Sequence, residues 1–323
     1  MIEIKKVTRL FGETMAVDNV SFHVAPGRVV GFLGPNGAGK TTTLRIVTCF
    51  LPPTLGTVIV DGHDVTVDSL AVRRVIGYLP ETVPLYPEMR VREFLSYRAR
   101  LKGVGWRQRR KRVEALMDKC NIREVSRRLT GQLSRGYRQR VGIADALVGD
   151  PKLVILDEPT LGLDPNQIRE TRKLIKELGH EHTVLLSTHI LPEVEMVCDE
   201  VVVIHEGRIA AQGTLAQLRQ KLTGGSGRLV LDIKGPMDEV GRMLETITGV
   251  KAVSEHPTPE GGHFVLETGG GVDVREEIFD RVSRAGWKLL EMHSAMVTLE
   301  DLFTHITMGD AASRRSLGEG GRS

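Results

Sequence analysis

Short apolar runs alternate along the chain with stretches whose apolar residues recur every three or four positions. Near the start, "MIEIKKVTRLF" and "NVSFHVAPGRVVGFLG" carry β-branched residues bounded by Pro-Gly or Gly turns, and read as short strands. A helix is predicted after Gly39, because "KTTTLRIVTCF" sets Leu44 and Val47 on one side. "GTVIVDGHDV" reads as a hairpin-like return, and residues 71–80, "AVRRVIGYLP", end in another short strand. The spacing then turns helical: Val91, Leu95, Arg98 and Leu101 recur, as do Val113, Leu116, Met117 and Cys120, so residues 84–150 are predicted to be mainly helical. "LVILD" at 153–157 and "HTVLLSTH" at 182–189 are the kind of strand a parallel sheet buries on both faces. Between them, Asp164 is placed to cap a helix that has Pro165 at its first position and ends at Gly179. "VVVIHEGRIAAQG" reads as a closing hairpin.

"KLTGGSGR" at 221–228 has the composition of a linker. The expected organisation is a first domain over 1–220, a linker at 221–227, a second domain over 228–306 and a disordered tail at 307–323. The second domain reads strand, helix, strand, strand, helix, strand, which is the ferredoxin-like order. No convergent set of His, Cys or carboxylate residues stands out in it.

Composition narrows the picture only a little. With 323 residues, 41% hydrophobic and 26% charged, the chain can bury a large core and is unlike a disordered one. A formal charge of +3 makes no bulk case for nucleic-acid binding. Three cysteines (Cys49, Cys120, Cys198) are too few and too scattered for a disulfide framework. The start lacks the apolar stretch of a secretory signal, and no run of about 18 apolar residues exists, so any membrane role is expected to go through a partner. "RQRRKR" at 107–112 reads as a solvated helix surface, with anionic headgroups or nucleic acid as the alternatives. Trp106 and Trp287 read as packing anchors.

The chemistry concentrates elsewhere. "GPNGAGKT" fits the pattern G-x-x-x-x-G-K-[ST] at Gly34, Gly39, Lys40 and Thr41, with a strand before it and a helix after. Glycines without Cβ atoms let successive N–H groups turn toward one anion, and the helix start adds its dipole. Lys40 supplies a point charge for terminal phosphates, and Thr41 a hydroxyl for Mg²⁺. A plain glycine-rich turn explains the glycines but not Lys-Thr at this offset. The "LVILDEPT" strand delivers Asp157 beside such a metal, and Glu158 can point to a water attacking the γ-phosphorus. Thr188 and His189 stand at the end of a third strand, where ligands of α/β sheets gather.

These residues resemble the ATP-binding subunit of an ABC transporter over residues 1 to about 220. The resemblance implies an α/β fold: a P-loop ATPase cassette with a RecA-like core, an antiparallel β subdomain and a helical subdomain, here followed by the ferredoxin-like domain. It implies ATP and Mg²⁺ as cofactors and ATP hydrolysis as the activity. Phe11 stands where the family stacks an aromatic ring on adenine. Gly34, Pro35, Asn36, Gly37, Ala38, Gly39, Lys40, Thr41 and Thr42 match its phosphate loop. Asp157 matches the metal-associated aspartate, Glu158 the general base and His189 the switch histidine, while "LGLD", ending at Asp164, matches the loop that communicates across the dimer.

"LSRGYRQR" at 133–140 resembles the family signature, usually Leu-Ser-Gly-Gly-Gln. By that resemblance Ser134 and Gly136 cap the γ-phosphate of ATP held by a second copy. Arg135 and Tyr137 depart from the usual residues, and Glu81 replaces a glutamine that touches Mg²⁺ and the membrane subunit. Glutamate can still ligate Mg²⁺ but adds negative charge and loses a donor. All three departures resemble the ATPases of ABC-2 type exporters, as does the terminal segment "VTLEDLFTHIT". The implied partners are a second copy of the chain and a separate membrane subunit that holds it on the cytoplasmic face, with no nucleic acid. The competing function is a non-transport ATPase of DNA repair or translation. Repair types carry a long coiled-coil insertion and translation types usually a second cassette, and neither appears here.

Overall fold

The computed structural model describes residues 1–218, 227–258, 261–269 and 273–294. Most of the expected linker, the segment 297–307 and the tail at 307–323 lie outside these residues; Gly227 is described and opens a strand. The chain divides into two units, Met1–Leu215 and Ala216–Ser323.

The first unit begins with long antiparallel strands β1 (Ile2–Phe11) and β2 (Thr14–Val24), followed by the short β3 (Val29–Leu33) and helix α1 (Lys40–Val47). Next come β4 (Leu55–Val60), β5 (His63–Asp64), α2 (Ser69–Val75) and β6 (Ile76–Leu79). The helical stretch follows as α3 (Val91–Leu101), α4 (Trp106–Lys119) and α5 (Arg135–Leu147). The unit closes with β7 (Leu153–Asp157), α6 (Pro165–Leu178), β8 (Thr183–Thr188), α7 (Leu191–Val197), β9 (Glu200–His205) and β10 (Arg208–Gly213). One sheet runs β2-β1-β4-β5; the other runs β10-β9-β3-β8-β7-β6, parallel except for β10 at its edge. This is the P-loop ATPase architecture that the motifs imply.

Every residue of β3, β7 and β8 is buried, and their alternation explains why. Val154, Leu156, Val184 and Leu186 face a core shared with Phe94, Leu116, Met117 and Ile143 of the helices. Their neighbours Leu153, Ile155 and Leu185, with Val30 and Phe32, face a second core shared with Val7, Val20, Leu44 and Val58. A period-2 strand loaded with apolar residues at both parities is therefore covered on both faces. That places the ends of β3, β8 and β7 side by side at one edge of the layer, where the loops carrying the motifs emerge.

Two elements differ from the sequence reading. Residues 71–80 end in the expected strand, β6, but the helix α2 in front of it was not foreseen; it buries Val72 alone, too little for a visible amphipathic period. Trp106 is 75% exposed rather than a packing anchor, with the Arg107 guanidinium 5.2 Å above its ring.

The second unit contains β11 (Gly227–Lys234), α8 (Met237–Glu245), β12 (Val250–Thr258), β13 (Gly261–Thr268), α9 (Arg275–Arg284) and β14 (Lys288–Ser294). Its antiparallel sheet has the order β12-β13-β11-β14, as the βαββαβ pattern requires. Leu231, Ile233, Phe264 and Leu266 bury one face against Val240, Leu244, Ile278 and Val282 of the two helices. Among the described residues of the chain, no helix is long and apolar enough to cross a membrane.

Candidate functional site

Strand β3 ends at Leu33 and the chain turns through Gly34–Gly39 before entering α1. Gly39 sits at the helix cap with φ of 101°, and a Cβ there would stand 2.6 Å from the Ala16 carbonyl oxygen, so the position suits glycine on both counts. Lys40 is 6% exposed and folds back over the turn. Its ammonium donates to the carbonyls of Gly34 (2.7 Å) and Pro35 (3.2 Å) and lies 3.4 Å from Glu158 Oε1. Ala38 is buried; its N–H donates to Pro35 O (3.2 Å) and its carbonyl accepts from Gly207 N (3.0 Å). Gly34 and Ala38 therefore shape the turn from beneath.

The turn forms one wall of a cleft of about 380 Å³ lined by Pro35, Asn36, Gly37, Gly39, Lys40, Thr41 and Thr42. Across it stand Glu81, Glu158 and His189, brought from the ends of β6, β7 and β8. Glu158 has φ of 50°, an uncommon conformation for a residue with a side chain. The turn is held by Glu158 N donating to Ser187 O (3.0 Å) and by Leu161 N donating back to Glu158 O (3.2 Å). The second oxygen of the Glu158 carboxylate lies 2.9 Å from His189 Nδ1. One carboxylate thus bridges an ammonium and an imidazole at the mouth of an N–H-rich turn.

Asp157 faces an adjoining cleft of about 530 Å³, to which Thr41 and Glu81 also contribute. Both Asp157 carboxylate oxygens are buried without a well-formed hydrogen bond. Burial raises its pKa, with the Glu158 and Glu81 charges adding; the Ser187 and Thr41 hydroxyls, though poorly placed for a full hydrogen bond, pull the other way. Among the described residues, no cluster of three His, Cys, Asp or Glu side chains could hold a metal. A buried carboxylate short of partners, beside a hydroxyl and one further carboxylate, is a donor set that fits Mg²⁺, which relies on few protein ligands and completes its shell with water and phosphate.

The remaining sequence-predicted residues lie outside both clefts. Ser134 is the exposed N-cap of α5, accepting at 3.5 Å from Tyr137 N. Gly136 is buried under Gln167, whose Oε1 would be 2.5 Å from a Cβ there. The two departures from the usual signature have partners within the chain: Arg135 lies against Gly162, and Tyr137 donates its hydroxyl to Glu124. Asp164 caps α6, accepting from Asn166 N (3.0 Å) and Gln167 N (2.9 Å). Phe11 closes the β1–β2 hairpin, 44% exposed, with the Arg9 guanidinium 4.7 Å from its ring centre. Ala16 and Leu161, which also line the first cleft, carry no chemistry that a sequence motif could signal.

Comparison with known proteins follows the same lines. Residues 17–161 match the sequence model of the family described as ABC transporter. The chain is 32% identical over 310 residues to the daunorubicin resistance ATP-binding protein DrrA3 of Streptomyces coeruleorubidus, covering 96% of each chain. It is 37% identical over 315 residues to the Nod factor export ATP-binding protein I of Burkholderia pseudomallei, covering 95% of this chain and 96% of that one. Among solved structures, a bacterial ABC transporter cassette described as dimeric superposes with a TM-score of 0.62 at 28% identity, over 67% of this chain and 99% of that one.

Proposed function

The chain belongs to the ABC transporter family of ATP-binding proteins and is an ATPase, and from that premise we propose that two copies pair head-to-tail around ATP to drive an ABC-2 type exporter. The carrying observation is that Lys40, Glu158 and His189 converge on one cleft while the signature residues Ser134 and Gly136 lie outside it. A site so divided needs its second half from another copy. The dimeric form of the similar cassette supports that reading. The export and drug-resistance names of the relatives support the direction of transport. The membrane subunit is a separate chain, and this protein sits on its cytoplasmic side.

In the proposed site the Gly34–Thr42 turn receives the phosphates through its N–H groups and Lys40, and Phe11 offers an exposed ring to the base. Thr41, Asp157 and Glu81 would hold Mg²⁺, which supplies charge neutralisation at the phosphate oxygens when bound. The γ-phosphate competes with Glu158 for Lys40, which leaves the Glu158 carboxylate free to accept a proton from the attacking water. His189, now hydrogen-bonded to Glu158, is placed to donate to the γ-phosphate. Water oxygen bonds to phosphorus as the bond to the β,γ-bridging oxygen breaks, so the protein's task is positioning and charge stabilisation. Closure on ATP and release after hydrolysis give the two states that a membrane subunit can read.

Glu158→Gln keeps size and hydrogen bonding but removes the base. Phosphate release at saturating ATP should fall by more than ~10²-fold while ATP still binds. Near-normal turnover in this variant would sink the assignment.

A further inference from the structure

Beneath the cleft lies a carboxylate that the chemistry above does not use. Glu193, in the first turn of α7, is 1% exposed and pairs loosely with Arg172, whose Nη2 lies 3.9 Å from Oε1. Its hydrogen-bond partners are two buried hydroxyls. The Thr160 hydroxyl donates to Oε1, and the Thr188 hydroxyl donates to Oε2 at 2.8 Å. Thr160 follows Glu158 by two residues, and Thr188 immediately precedes His189. The Thr188 hydroxyl also accepts from Ile190 N at 3.1 Å, which leaves its proton to point at Glu193.

We propose that Glu193 is a positioning residue for hydrolysis, its two oxygens clamping the Glu158 turn to the end of β8 so that Glu158 and His189 keep their mutual geometry. The inference rests on the assignment of Glu158 and His189 to the reaction. The left-handed backbone at Glu158 is a conformation that persists only where its surroundings hold it. Leu163 N donates to Thr160 O (3.2 Å), and Leu161 N to Glu158 O (3.2 Å), so the turn closes locally. Among the described residues, Glu158 N to Ser187 O, the Glu158–His189 contact and the two Glu193 bonds tie it to the β8 end, and of these only the Glu193 bonds use a residue from outside the two loops. A carboxylate is suited to the clamp because it accepts on both oxygens, whereas an amide accepts on one and presents N–H₂ to the other hydroxyl.

The test compares steady-state ATP hydrolysis, ATP affinity and thermal melting of the full chain with Glu193→Gln, with Thr160→Val/Thr188→Val, and with all three changes together. Glu193→Gln should lower kcat roughly 10- to 100-fold, the cost of a misplacement near 1 Å, with KM and ATP affinity within about twofold of the parent. In the double-valine background the same change should cost little further, because the clamp is already gone. Turnover within about twofold of the parent for Glu193→Gln would overturn the proposal. So would an equal loss in both backgrounds, or a fall in ATP affinity that tracks a lowered melting point. Glu158→Gln measured alongside separates the two levels: if it abolishes turnover while Glu193→Gln is normal, only the clamp fails. Normal turnover in Glu158→Gln itself removes the base and both readings with it.

Discussion

Asp157 is the residue at which fold and function pull apart. Burial raises its pKa above the ordinary 3.8, so the folded chain holds this proton to higher pH than the unfolded chain does. Stability contributed by the group therefore falls as pH rises from 3.8 through the folded pKa, and above that the buried ionised carboxylate is a standing cost. Asp157→Asn should raise the melting temperature of the nucleotide-free chain at pH 7 and abolish the further rise that Mg²⁺ adds to ATP; a melting temperature below the parent's would contradict this. Other site residues were legible because spacing carried them: Lys40 and Thr41 follow a glycine turn at a fixed offset, and Glu158 and His189 end buried strands. Glu193, Ala16 and Leu161 were not, because their roles arise from contacts across elements that leave no local pattern. Trp106 misled in the opposite sense, since a large ring can stay exposed at the surface beside an arginine instead of entering a core.

Among the elements, α3 and α5 depend on a polar tie inside an otherwise apolar packing. Arg98 Nε donates to Asp145 Oδ1 at 2.7 Å, and the Asp145 side chain is 8% exposed. Burial raises the Asp145 pKa, while its bond to Arg98 and the nearby Lys102 charge oppose that rise. Asp145→Ala should cost about 2 kcal/mol, the range of a hydrogen bond to a charged group, read as a lower urea midpoint at unchanged slope. No loss of stability would remove the tie. Helices α3 and α4 were legible from their period because each buries several apolar residues on one side; α2, with one, was not. At the start of α5, Ser134→Ala should cost about 1 kcal/mol at most as a lost cap. A collapse of ATP turnover at nearly unchanged stability would therefore separate the cap from a role at a neighbouring copy's phosphate.

For the whole molecule, the sequence carried the parallel core and the βαββαβ unit through strand and helix periods, but the placement of the signature outside its own cleft is a tertiary fact that no period records. The central claim is that each ATP is enclosed by the phosphate turn of one copy and the signature of another. A disulfide reports this directly. With Cys49, Cys120 and Cys198 replaced by alanine and Glu158→Gln present to hold ATP, Asn36→Cys and Arg135→Cys are introduced together and the chain is oxidised with and without ATP. The account predicts a covalent dimer on a non-reducing gel that forms with ATP and is scarce without it. Cross-linked monomer alone, or dimer formed equally without nucleotide, would contradict the head-to-tail composite site.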